Sequence, residues 1–175
     1  MNYTIRNAKL SDLDDIMKVE ENSFIKPIQE ARETFAARIK NCPKTFFVFE
    51  QNNVFGYICG EFLSKEPKTR GELELNHHPQ IIEEDLTQNR YFYISSFAIL
   101  PEYRGSGLGK ILWNKSLLKV KEMYPKITFY LLVNEEWKGA LSIYEKSGFF
   151  KVQTFNSFFK TENDSIFTNG ILMKK

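Results

Sequence analysis

The stretch Tyr91-Phe92-Tyr93-Ile94-Ser95-Ser96-Phe97-Ala98-Ile99, then Leu100-Pro101-Glu102-Tyr103, then Arg104-Gly105-Ser106-Gly107-Leu108-Gly109-Lys110 carries the most information in this chain. Its first part is dense in aromatic and branched residues, as in a strand. The glycines that follow permit positive φ and let backbone N–H groups approach a ligand. From Leu108 the apolar spacing becomes helical and runs to about Met123. A strand, a glycine turn and a helix N-terminus form a cradle for a pyrophosphate, because N–H groups and the positive end of the helix converge there. Arg104 and Lys110 flank the turn with fixed charge.

Two common phosphate motifs are excluded by spacing. A Walker loop needs glycine where Arg104 stands and Ser or Thr where Ile111 stands. A dinucleotide fingerprint needs its third glycine at the place of Lys110. What remains is Arg-x-x-Gly-x-Gly, set between a strand and an amphipathic helix.

The chain has 175 residues, 42% apolar and 26% charged, which suits one soluble domain spanning 1–175. Sixteen Phe and eight Tyr suit a β-rich core or an apolar ligand channel. A net charge of +2 gives no argument for nucleic acid. No apolar run reaches the roughly 20 residues of a membrane span and no signal-peptide pattern is seen, so a cytoplasmic protein is expected. Cys42 and Cys59 then stand as reduced thiols, and no zinc spacing is present, so no metal is expected.

Along the chain, Tyr3–Asn7 alternates as a strand, and Ser11 with Asp14 three residues on marks a helix start. Gln29–Ile39 reads as a second helix. Thr45–Glu50 and Val54–Phe62 form a hairpin around Gln51-Asn52-Asn53. The pattern is lost from Leu63 to Gln88, a long and therefore functionally suggestive loop. After the strand Tyr91–Ile99 and the helix to Met123 come a strand at Ile127–Val133, a helix at Lys138–Lys146 stopped by Ser147-Gly148, and strands at Phe149–Thr154 and Ile166–Met173. This order predicts a mixed α/β domain: a mostly antiparallel central sheet of six to seven strands flanked by about four helices.

The glycine turn, this order of elements, and Val133-Asn134 followed by Ala140 and Tyr144-Glu145-Lys146-Ser147-Gly148-Phe149 resemble the GCN5-related N-acetyltransferase family. The resemblance spans the chain and is densest from Tyr91 to Phe149. Phe55-Gly56-Tyr57-Ile58 and the loop with His78-Pro79 look most like the arylalkylamine N-acetyltransferase-like group. The family resemblance implies the acyl-CoA N-acyltransferase fold with acetyl-CoA as co-substrate. It implies that Phe97, Ala98 and Ile99 pair with the pantetheine arm, that Arg104, Gly105, Ser106, Gly107, Leu108, Gly109 and Lys110 hold the pyrophosphate, and that Asn134 bonds the cofactor. Tyr144 falls where the family places a hydroxyl near the CoA sulfur.

The chemistry asks for such parts: an amine attacks a thioester, an oxyanion forms, and a thiolate leaves. A phenol in reach can protonate the sulfur, so Tyr144 is the candidate general acid. Trp137 stands where many family members carry Asn. The histidines that serve as base in the animal arylalkylamine enzymes are replaced by Tyr93 and Ser95, which leaves a water path past these two or a loop carboxylate. Between Gly71 and Gln88 lie Glu72, Glu74, Glu83, Glu84 and Asp85 with no Lys or Arg, together with His77 and His78. Such a negative wall suits a cationic amine, and Glu72, Glu74 and His78 are the substrate-side candidates. The expected activity is direct acetyl transfer to a small cationic primary amine, of polyamine or arylalkylamine type, by a monomer or homodimer. The alternatives are a protein or peptide amine as acceptor, or a non-catalytic acyl-CoA-binding module.

Overall fold

The computed structural model describes residues 3–81, 91–163 and 165–175. The elements are β1 (Thr4–Asn7), α1 (Leu13–Ser23), α2 (Arg32–Asn41), β2 (Phe47–Glu50), β3 (Val54–Leu63), β4 (Tyr91–Ile99), α3 (Leu108–Met123), β5 (Thr128–Asn134), α4 (Lys138–Lys146), β6 (Phe150–Lys160) and β7 (Phe167–Lys174). The strands form one seven-stranded sheet in the order β1-β2-β3-β4-β5-β7-β6. Every neighbouring pair is antiparallel except β4 and β5, which run parallel with α3 as the crossover between them. The mixed, mostly antiparallel sheet is thus the one the sequence indicates.

Helix starts differ most from the sequence reading. Ser11 caps nothing; it lies in a single 3-10 turn, Leu10–Asp12, and α1 begins at Leu13. The Asp12 carboxylate is drawn away to Arg6 at 2.7 Å and to the Lys9 N–H at 2.8 Å. Likewise α2 starts at Arg32 and not Gln29, because Ala31 is extended and its N–H is held by the Asn76 side chain at 2.7 Å. The strand placed at Phe149–Thr154 runs on to Lys160. A bulge between Phe155 and Phe159 breaks its two-residue period, with Ser157 at φ 51°. Arg70 grips this bulge, donating to the carbonyls of Ser157 at 2.9 Å and Phe158 at 3.2 Å.

The sheet's centre decides where a ligand can go. β4 and β5 pair only from Tyr91–Thr128 to Ile94–Leu131. Beyond that point β4 keeps β3 on one side, with Phe97 opposite Ile58 and Ile99 opposite Gly56, and has no ladder partner on the other among the described residues. The break coincides with a bulge: Cys59 faces Ser96 and Gly60 faces Ile94, so Ser95 is the extra residue in β4. A bulge bends its strand and raises the local twist. β4 therefore stays with β3 and departs from β5.

Gly60 makes the bulge possible. A Cβ there would lie 2.3 Å from the Tyr93 carbonyl oxygen and 2.6 Å from the Phe92 ring, both held in the sheet. Gly60→Ala is therefore expected to cost about 2–4 kcal/mol, read by urea denaturation. A loss below about 0.5 kcal/mol, the range of inert surface changes, would show that the bulge tolerates a side chain.

Candidate active site

Where β4 and β5 part, two cavities meet. The larger, about 880 Å³, lies between the exposed backbone of Phe97–Ile99, the glycine turn, the N-terminal end of α4, the Ser23–Ile28 segment and residues Lys160–Asn163. The smaller, about 60 Å³, is buried deeper against Glu20, Glu30, Tyr93, Ser95 and Ser96. Both are lined by Phe24, Ile28, Phe97, Trp137 and Tyr144. These shared side chains mark the junction between them.

The structure brings most of the glycine turn onto the wall of the larger cavity. Gly105 and Gly107 each have φ +80°, open only to glycine without strain, and Gly107 is the residue before α3. No side chain caps that helix, so its first N–H groups face outward beside the larger cavity. Gly105, Gly107, Gly109 and Lys110 line it. Gly109 has ordinary φ, and its use is the absence of a side chain on the cavity wall. Ser106 is exposed and lies outside the lining, while Leu108 turns its buried side chain into the core and anchors the turn.

Two donor-side residues do more internal work than their sequence context suggests. Arg104 donates from Nε to the Ile99 carbonyl at 2.8 Å and from Nη2 to Ser23 Oγ at 2.9 Å. It clips the turn to the end of β4 and the end of α1 while still bordering the cavity. Asn134 donates to Thr168 Oγ1 at 2.6 Å and accepts from the Glu136 N–H at 2.9 Å. Both ends of its amide are committed to shaping the β5–α4 turn.

Tyr144, on the buried face of α4, packs its ring on Trp113 at 4.5 Å and borders both cavities. Its hydroxyl has no hydrogen-bond partner among the described residues, and burial pushes its phenol above the ordinary value, keeping it protonated at neutral pH. Trp137 leans on Phe24 of the segment after α1 at 5.6 Å and on Phe159 of β6 at 5.5 Å. Its indole stands between the donor and acceptor sides.

Of the five acids expected to form a negative wall, Glu72 and Glu74 are among the described residues. Glu72 is folded back on its own turn, accepting from the Lys68 and Thr69 N–H groups at 2.9 Å and from Lys65 Nζ at 2.8 Å. These contacts lower its carboxyl to about 2. Glu74 and His78 are exposed, and Glu72, Glu74 and His78 border neither cavity. The loop instead sends Leu73 and Leu75 inward. Glu83, Glu84 and Asp85 lie outside the described residues. Tyr93 and Ser95 both reach the small cavity. Burial pushes the Tyr93 phenol up, which leaves it a hydrogen-bond group and no base.

Sequence reasoning missed the buried acids. Glu20, Glu30 and Glu61 are each at most 4% exposed. Glu30 is paired with Arg38 at 2.8 Å and Glu61 with His77 at 2.9 Å. Glu20 has no cation in contact among the described residues. It accepts the Glu30 N–H at 2.7 Å and the Tyr57 hydroxyl, which also lies 2.8 Å from Ser96 Oγ. Burial pushes Glu20 up to about 7, and the nearby Glu30 carboxylate acts in the same direction. The available signal was phase: Leu13, Ile16, Val19 and Glu20 share the buried face of α1. Cys59 is a buried thiol that burial pushes up to about 12.

A family model described as the Acetyltransferase (GNAT) family matches residues 13–149. The chain belongs to this family. An N-alpha-acetyltransferase of Sulfurisphaera tokodaii is 29% identical over 165 residues, covering 93% of this chain and 89% of its relative. Among solved structures, Ard1 from Thermoplasma volcanium superposes with a TM-score of 0.73 at 19% identity, covering 100% of this chain and 97% of that one. Arabidopsis thaliana Naa50 in complex with the bisubstrate analogue CoA-Ac-MVNAL gives 0.70 at 18% identity, covering 100% and 99%. The protein is an acetyl-CoA-dependent N-acetyltransferase, and its named relatives are N-alpha-acetyltransferases and not the arylalkylamine type its strand and loop motifs suggested. No helix among the described residues is long and apolar enough to cross a membrane.

The raised Glu20 carboxyl has a consequence for stability. The folded chain holds this proton up to about 7 while the unfolded chain releases it near 4.5. The contribution is therefore complete below pH 4.5 and is lost as pH rises through 7, amounting to about 3 kcal/mol. Glu20→Gln is expected to flatten this decline in denaturation curves taken at pH 5 and pH 8. Parallel curves for both proteins would mean that Glu20 titrates normally.

Proposed function

We propose that this GNAT chain acetylates the α-amino group at the N-terminus of a peptide or protein, and that Tyr144 is its general acid. The observation that carries the acceptor class is the shape of the acceptor side. The small cavity combines buried acids with the apolar side chains of Phe24, Ile28, Leu73, Leu75, Phe158 and Phe159. That suits one ammonium attached to a compact apolar group. A polyamine would need several free carboxylates along its length, and the described loop carboxylates, Glu72 and Glu74, border neither cavity. The N-alpha-acetyltransferase relative, aligned over 93% of the chain, supports the same acceptor.

The larger cavity fits acetyl-CoA. Its volume of about 880 Å³ falls within the ordinary range for cofactor-sized ligands. The uncapped start of α3, with Gly105 and Gly107 giving a wall free of side chains, suits the pyrophosphate, and Lys110 adds a positive charge beside it. The edge of β4 beyond its pairing with β5, at Phe97 and at the Ile99 N–H, offers backbone groups to the pantetheine arm, while the Ile99 carbonyl already accepts from Arg104. The bound co-substrate supplies the activated acetyl group. Ala98 and its neighbours hold and orient it, the aromatic junction excludes water, and the Tyr144 hydroxyl, protonated and free of internal partners, delivers a proton where the leaving sulfur arrives.

The test is CoA release across free N-terminal peptides, peptides blocked at the N-terminus but carrying lysine, polyamines and arylalkylamines, with mass spectrometry to locate the acetyl group. Free N-terminal peptides are expected to lead by at least tenfold in kcat/KM. Preferential acetylation of a polyamine or arylalkylamine would overturn the acceptor class. Tyr144→Phe is expected to lower kcat about 10²-fold with acetyl-CoA affinity unchanged in calorimetry. An unchanged kcat would remove Tyr144 from the chemistry.

A further inference from the structure

We propose that Glu20 is the base that takes a proton from the acceptor ammonium, meeting it across the small cavity while Tyr57 and Ser96 hold the carboxylate in place. The assignment rests on acetyl transfer to an amine that arrives as an ammonium, and not on that amine belonging to a peptide.

The argument is one of position and of competing partners. Glu20 and Ser96 both form the wall of the small cavity, whose mouth is bounded by Phe97, Trp137 and Tyr144 of the donor side. An amine lodged here faces the end of β4 where its backbone is free. A carboxylate has about four acceptor positions on its two oxygens. The Glu30 N–H occupies one on Oε1 and the Tyr57 hydroxyl one on Oε2, so each oxygen keeps a free lone pair. The other acids nearby are engaged: Glu30 with Arg38 and with the Asn76 N–H at 2.8 Å, Glu61 with His77.

The neighbours leave Glu20 as the group that titrates. It is faced by Glu30 and Arg38 from the segment before α2 and from α2 itself, by Tyr57 and Cys59 from β3, and by the neutral Ser96 from β4. Arg38 stays cationic, and burial pushes both the Tyr57 phenol and the Cys59 thiol well above neutrality. A base is most effective when it titrates near the working pH, and burial has brought Glu20 to about 7.

The proton transfer balances simply. An N–H bond of the ammonium breaks and its electron pair stays on nitrogen. A carboxylate lone pair of Glu20 forms the new O–H bond, and the neutral amine is then the nucleophile. The second proton lost from nitrogen as the amide forms matches the one taken up by the leaving sulfur. Glu20 returns its proton to solvent when the product leaves.

The test compares kcat/KM against pH for the wild type, Glu20→Gln and Ser96→Ala on the best acceptor from the amine panel. The wild type is expected to show an acid limb near pH 7. Glu20→Gln should lose about 10²-fold at pH 7 and lose that limb, yet recover to within about tenfold with an acceptor already neutral at the assay pH. Ser96→Ala should shift the limb while keeping most of the rate. Two readouts do not depend on turnover: a ¹³C-labelled carboxyl resonance titrating near 7 that vanishes in Glu20→Gln, and acetyl-CoA affinity in calorimetry that stays within threefold. A Glu20→Gln variant that keeps the rate and the limb, or that loses rate in step with acetyl-CoA affinity, overturns the proposal alone. A wild type that turns over no amine overturns the enzymatic reading and this one together.

Discussion

The constraint on which the rest depends is the loss of pairing between β4 and β5 past Ile94 and Leu131. A closed parallel ladder would satisfy every backbone group and leave no room at the sheet's centre. The bulge at Ser95, accommodated by the missing side chain of Gly60, diverts β4 at this point. Its far half then offers unpaired N–H and carbonyl groups on one edge, and polar groups of that kind need partners. The glycine turn and α3 follow directly from the same strand, so the wall of the larger cavity and the opening of the sheet are set by one continuous stretch of chain.

The opening also explains the concentration of buried charge. Burying a carboxylate without a partner is costly, and the fold answers this with the Glu30–Arg38 ion pair and with the His77 ring 2.9 Å from Glu61. Glu20 is answered only with hydrogen bonds from an amide and a phenol. Its carboxyl consequently holds a proton up to about 7. Strain of this type, retained beside a cavity, is characteristic of sites where protons move.

Much of this was legible from residue order. The β4 and α4 boundaries, the α3 start and the glycine turn were all carried by strong local signals: aromatic density, three closely spaced glycines and a Ser-Gly stop. The reading failed where contacts beyond the helix override local preference. Nearby, Asp12 accepts from the Lys9 N–H and closes a 3-10 turn ahead of α1 while also binding Arg6, and at longer range Asn76 reaches across to hold the extended Ala31. The direction in which the loop side chains point was not legible for a related reason. Counting acids in the loop after β3 says nothing about which way they point, and among the described loop residues Leu73 and Leu75 are those that line the cavity. Glu20 was visible only as a charged residue in phase with Leu13 and Ile16, a discord that marks a buried group but not its task.

The Phe155–Phe159 bulge in β6 has an effect beyond lining the cavity with two successive phenylalanines. β6 is the outer strand of the sheet and carries the exposed side chains of Phe150 and Val152. A long, regular, apolar edge is a template for uncontrolled strand addition by another chain. Here the ladder slips once between Lys151 and Gln153 and again between Phe155 and Phe159, while Arg70 covers the second slip. No extended run of evenly spaced backbone donors and acceptors survives along that edge. The irregularity beside the small cavity thus also makes that edge a poor template for strand addition.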